Sequence, residues 1–167
     1  MRVLVVGGGG REHALVHSFS RSSLRPQVFC APGNAGIAAE ADCVRIGAED
    51  LPGLLEFATR ERPDLTVVGP EAPLVEGLAD LFRERGLPVF GPDAQAARME
   101  GSKLFAKEVM DAAGAPTGAY SRHTSAASAF AALAAQPTYP VVVTADGLAA
   151  GKGVIIAADE AEARAAV

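Results

Sequence analysis

An apolar run, Val3-Leu4-Val5-Val6, breaks directly into four glycines, Gly7 to Gly10, and continues as Arg11-Glu12-His13-Ala14-Leu15. The run reads as a buried strand, and a helix follows from about Arg11, with Leu15 and Phe19 four apart on the face that packs against a sheet. Glycine lets a backbone turn this sharply and leaves its N–H groups open, while the helix dipole favours an anion at that end. The turn at 7–10 is therefore a phosphate cradle in prospect, or simply a tight turn.

A chain of 167 residues, 49% hydrophobic and 21% charged, is long enough to bury a core and has a soluble α/β composition. The net charge of -5 argues against a nucleic-acid or anionic-membrane surface, and the first apolar run is far shorter than the roughly 20 residues a membrane span needs. No membrane partner and no targeting segment is expected. Cys30 and Cys43 lack metal-site spacing and read as buried free thiols on strands, which fits a cytoplasmic protein. His13 and His17 are four apart on the first helix, but no acidic or third histidine partner stands beside them there, so no metal site is assigned.

Alternation of strands and helices continues, with strands over 27–31, 43–46, 65–68 and 87–90 and helices over 51–60 and 74–85, which implies a parallel sheet. Ligands in such sheets lie outside the carboxyl ends of the strands, so three loops should converge: Gly7, Gly8, Gly9 and Gly10; then Pro32, Gly33, Asn34, Ala35 and Gly36; then Glu71 between two prolines. Glu71 is either an acid in the first turn of a helix or a contact to sugar hydroxyls or an amine. A dinucleotide fingerprint is missing, because Glu12 stands at its third glycine position and the second strand ends in Cys30-Ala31-Pro32 rather than in an acid. An NAD oxidoreductase is thereby disfavoured.

Beyond 101, Ser102 caps a helix over 103–113 that Gly114 and Pro116 end. Lys103 in its first turn answers an external anion or is a solvated surface lysine. A strand over 119–122, an alanine-rich helix over 125–135 and a strand over 140–144 precede the segment Asp146-Gly147-Leu148-Ala149-Ala150-Gly151-Lys152-Gly153. With the strand at 154–156 this reads as a hairpin, either plain or folded over a triphosphate with Lys152 and backbone N–H groups supplying charge. It is not a Walker loop, since Gly153 follows the lysine.

The ordered segments VVGGGGREHAL, APGNAG, VVGPEAPLVEGLAD, MEGSKLFAK and ADGLAAGKGV resemble the phosphoribosylamine-glycine ligase family (glycinamide ribonucleotide synthetase) across essentially the whole chain. The resemblance implies a Rossmann-like α/β domain of parallel strands over 1–101 and the opening of an ATP-grasp lobe, incomplete, over 102–167. It implies ATP-dependent joining of glycine to phosphoribosylamine through a glycyl phosphate in purine biosynthesis, with ATP and magnesium as cofactors. By the same resemblance, Gly8 to Gly10 and the loop at 32–36 surround phosphoribosylamine; Arg11 and Glu71 are counted with them as substrate-binding. Lys103, Thr144, Asp146, Gly147, Ala150, Gly151, Lys152 and Gly153 belong to the ATP site. No catalytic side chain is assigned. Thr144 stands where the family usually has lysine, and the magnesium ligands are expected beyond residue 167, in the remainder of the ligase chain. This chain alone is therefore expected to be catalytically incomplete, and the alternative is a non-catalytic sugar-phosphate or nucleotide binding module.

Overall fold

The computed structural model describes residues 1–135, 138–147 and 153–167. They form two compact units, Met1–Arg98 and Met99–Val167.

The first unit is built on β1 (Arg2–Gly7), whose residues Val3, Leu4, Val5 and Val6 are completely buried. At about 1.5 to 3 kcal/mol for each fully buried aliphatic side chain, this strand is a main source of the unit's stability. α1 (Gly10–Ser20) follows and returns the chain to β2 (Gln27–Pro32), which pairs in parallel with β1 from Arg2 opposite Gln27 to Gly7 opposite Pro32. The strand foreseen over 43–46 shrinks to β3 (Asp42–Cys43), because only Phe29 and Cys30 offer it partners. Cys43 is consequently exposed, against the expectation of two buried thiols; Cys30 alone is buried.

α2 (Leu51–Glu61) begins on Asp50, whose carboxylate accepts the Gly53 N–H at 3.0 Å, and ends at Arg62 in a left-handed conformation. β4 (Leu65–Val68) then pairs with β1 on the side away from β2. The helix foreseen over 74–85 is two helices, α3 (Glu71–Val75) and α4 (Leu78–Glu84), divided at Gly77 with φ of 92°. The last strand of this sheet, β5 (Val89–Phe90), is shorter than foreseen, and α5 (Ala94–Gly101) follows it. The sheet order is β3-β2-β1-β4-β5, all parallel. Alternation along β1 and β2 sends Val3, Val5, Val28 and Cys30 to one face with Val16 and Ile37, and Leu4, Val6, Phe29 and Ala31 to the other with Leu54, Phe57, Leu78 and Phe82. Both faces are covered, as a parallel sheet requires.

In the second unit α6 (Lys103–Ala112) starts on Ser102, whose Oγ accepts the Phe105 N–H at 3.1 Å. The strand foreseen over 119–122 does not form. Among the described residues this stretch has no pairing strand; it and the preceding Gly118 are tied to α6 by side chains: Lys107 Nζ donates to the Gly118 carbonyl at 3.0 Å, and the Tyr120 hydroxyl donates to Asp111 at 2.8 Å. α7 (Ala126–Ala134) leads to β6 (Val141–Thr144), which pairs antiparallel with β7 (Val154–Ala157), and α8 (Glu160–Ala166) starts on Asp159. α8 packs on both strands. No described helix is long and apolar enough to cross a membrane.

Candidate functional site: the carboxyl edge of the parallel sheet

In the first unit the chain leaves β1 for β2 on one side and later places β4 on the other, so the strand order reverses at β1. The carboxyl ends of the strands at such a reversal, here β1 and β4, are the usual ligand position in parallel sheets. The three loops foreseen as convergent do meet here. The Gly33 N–H donates to the Gly7 carbonyl at 3.1 Å, Asn34 Nδ2 donates to the Gly8 carbonyl at 2.9 Å, and the Arg11 guanidinium donates to the Gly69 carbonyl. A Cβ on Gly8 would lie 2.6 Å from the Gly33 carbonyl oxygen, so the first two loops touch backbone to backbone. Asn34 also accepts the Ile37 N–H through Oδ1 at 2.9 Å, which fixes its amide by both ends.

Gly8, Gly9 and Gly10 wrap the N-terminus of α1, and Gly10 has open space where a side chain would project. Gly9 is not free to meet a ligand through its N–H, which donates to Glu12 Oε2 at 2.6 Å. Glu12 is 5% exposed and sits against Gly7, Gly9 and Gly69. Sequence reasoning used it only to argue against NAD; the available signal was an acid three residues after a helix cap, a pattern that returns a carboxylate to the cap N–H. Pro32 closes β2 and Gly36 packs against the His13 ring, where a Cβ would come within 2.6 Å of Cε1. Glu71 opens α3 as its first-turn acid and is half-buried.

The acidic partner of the histidines on α1 comes from outside the helix, where the sequence offered none on the same helix face. Glu40 Oε2 lies 2.8 Å from His17 Nδ1 and Oε1 lies 3.4 Å from His13 Nε2, around a hollow of about 380 Å³. The hydrogen bond to His17 is the main influence holding the Glu40 carboxyl below its usual range. Among the described residues no three His, Cys, Asp or Glu side chains could hold a metal ion. Cys30, buried beneath Gly7, has its thiol pushed up to about 12 by burial and then by Cys43 and Glu12.

In the second unit the start of α6 is locked to the turn after β6. Lys103 Nζ donates to the carbonyls of Ala145 (3.1 Å) and Gly147 (2.9 Å), while Asp146 accepts the Leu104 N–H at 3.2 Å and the Ser102 hydroxyl at 3.0 Å. Burial opposes the charge on Asp146, but the Leu104 N–H and the Ser102 hydroxyl together hold its carboxyl below the usual aspartate range. Thr144 pairs with Val154 and shares the exposed face of the hairpin with Val142 and Ile156. Gly153 resumes the described chain at the foot of β7; Ala150, Gly151 and Lys152 lie outside the described residues.

A parallel α/β unit with a glycine turn at its reversal point, followed by a unit with an antiparallel hairpin, is a fold shared with proteins of the ATP-grasp class. A solved biotin carboxylase from Campylobacter jejuni matches with a TM-score of 0.76 at 19% identity over 99% of this chain and 40% of its own. A solved phosphoribosylamine-glycine ligase from Thermotoga maritima matches with a TM-score of 0.77 at 29% identity over 99% of this chain and 38% of its own. Residues 1–100 match the family model for the N domain of phosphoribosylglycinamide synthetase and residues 101–167 that for its ATP-grasp (A) domain, and the chain belongs to this family. Curated relatives named phosphoribosylamine-glycine ligase include those of Allochromatium vinosum, 56% identical over all of this chain, and Caldanaerobacter subterraneus, 51% identical over 98% of it. The chain spans 39% of the length of each.

Proposed function

We propose that this chain supplies the sugar-phosphate site and the first part of the ATP site of a cytoplasmic ligase that joins glycine to phosphoribosylamine at the expense of ATP, giving glycinamide ribonucleotide for purine biosynthesis. The observation that carries the reading is the closed edge of β1, β2 and β4, where Asn34 and Gly33 lock onto the turn at 7–10 and leave Gly10 open. A 5-phosphate fits the start of α1, where backbone N–H groups and the dipole favour an anion. Pro32, Gly33, Asn34 and Gly36 line the same edge, and Glu71 reaches for a ribosyl hydroxyl or the amine.

ATP activates the glycine carboxylate as an acyl phosphate, chemistry that needs positioned phosphates and neutralised charge more than a protein nucleophile. Ser102, Lys103 and Asp146 fix the turn at 145–147, and the phosphates are assigned to the glycine-rich segment that follows it, with Lys152 supplying charge; residues 148–152 lie outside the described residues. Thr144 stands on the open face of the hairpin and offers them a hydroxyl in place of an ammonium. Magnesium belongs to the same reading, with its ligands in the remainder of the ligase rather than among the residues described here.

ADP release by the whole ligase carrying these residues tests the proposal. Release should require ATP, glycine and phosphoribosylamine together, and release without glycine would overturn it.

A further inference from the structure

Resting on the sugar-phosphate reading, we propose that Glu12 selects the ligand at the sheet edge: its Oε1 accepts a hydrogen bond from a hydroxyl or amine of the ribosyl group. Glu12 is 5% exposed, yet only Oε2 has a donor, the Gly9 N–H at 2.6 Å. Oε1 lies over Gly69 at the mouth of β4, so close that a Cβ there would overlap it, and it receives no hydrogen bond among the described residues. The neighbouring cation does not compensate it, because Arg11 donates to the Gly69 carbonyl instead.

A helix cap needs one oxygen, and a neutral glutamine would provide it. The cap therefore accounts for Oε2 and leaves Oε1, on a side chain that is only 5% exposed, with no protein donor but with some access to solvent, so a group arriving from outside can donate to it. Oε1 lies against Gly69 at the carboxyl end of β4, the end of such a sheet at which ligands bind, so a bound ligand is the donor assigned to it. The carboxylate charge repels phosphate, and it occupies the Gly9 amide that a dinucleotide turn would present to pyrophosphate. The ligand's phosphate is thus directed toward the open side at Gly10 and its sugar toward Glu12. Discrimination follows, because an analogue lacking the donor leaves Oε1 unpaired, whereas one carrying it makes a charge-assisted bond.

Calorimetric titrations of the chain and its Glu12→Gln variant with ribose 5-phosphate, 2-deoxyribose 5-phosphate and 1,4-anhydroribitol 5-phosphate test this. The unaltered chain should bind one of the two hydroxyl-deficient probes at least tenfold more weakly than ribose 5-phosphate, and Glu12→Gln should erase that preference. A role limited to capping α1 would weaken all three probes equally, and an unchanged preference in the variant would overturn the inference while leaving the sugar-phosphate reading intact. If the unaltered chain binds none of the probes, that reading fails and takes the inference with it. The carboxyl 13C resonance of Glu12 in the unaltered chain gives a check that does not depend on the variant's folding: it should move when ribose 5-phosphate is added, and a stationary resonance at saturation contradicts the proposal.

Discussion

Single side chains in this protein differ sharply in what they expose to solution. Cys30 is fully buried with its thiol raised to about 12, so almost none of it is thiolate at neutral pH, whereas Cys43 is exposed. Iodoacetamide should therefore modify one cysteine per native chain, Cys43, and both after denaturation; mass spectrometry showing Cys30 labelled at the same rate as Cys43 would contradict the buried position of β2. Asp146 offers a test by pH. Its folded-state carboxyl is held below the ordinary aspartate value, so its contribution is complete above that value and is lost as pH falls through the lower folded one. Amide exchange at Leu104 should accelerate over that acidic interval, and Asp146→Asn should remove the acid-dependent step.

Elements were legible where the residues act locally and less so where tertiary partners decide. The division of the helix foreseen over 74–85 shows why: periodicity joined Leu74 to Phe82, but Gly77 takes a left-handed φ of 92° and restarts the helix in a new direction. A Cβ at Gly77 would meet nothing nearer than 3.9 Å, so Gly77→Ala should cost the conformational penalty alone, about 1 to 2 kcal/mol in denaturant unfolding. No measurable loss would mean that the two helices are not set by this residue. The buried strands at 3–6 and 65–68 and the cap at Ser102 followed from short-range pattern. Strand length did not, because β3 and β5 extend only as far as their neighbours offer pairing. The same limit hid the partners at the site. The three glycine and proline loops could be read from sequence, whereas Glu40 reaches His13 and His17 only through the fold, and Glu12 turns inward only once Gly69 is beside it.

At the scale of the whole molecule, the two units present different surfaces. The parallel sheet is covered on both faces, but the hairpin leaves Val142 60% and Ile156 69% exposed directly opposite one another, with Val154 on the same face. An exposed apolar pair on a sheet with two strands among the described residues favours pairing with another chain. Sedimentation should show association that rises with concentration, and Val142→Thr with Ile156→Thr should suppress it; a monodisperse monomer at all concentrations would contradict this. The central claim is that the sugar-phosphate site lies at the carboxyl edge of β1, β2 and β4. Amide chemical shifts followed during titration with ribose 5-phosphate should change most at 8–11, 33–36 and 69–71; changes confined to 99–167, or none at saturating ligand, would contradict this placement.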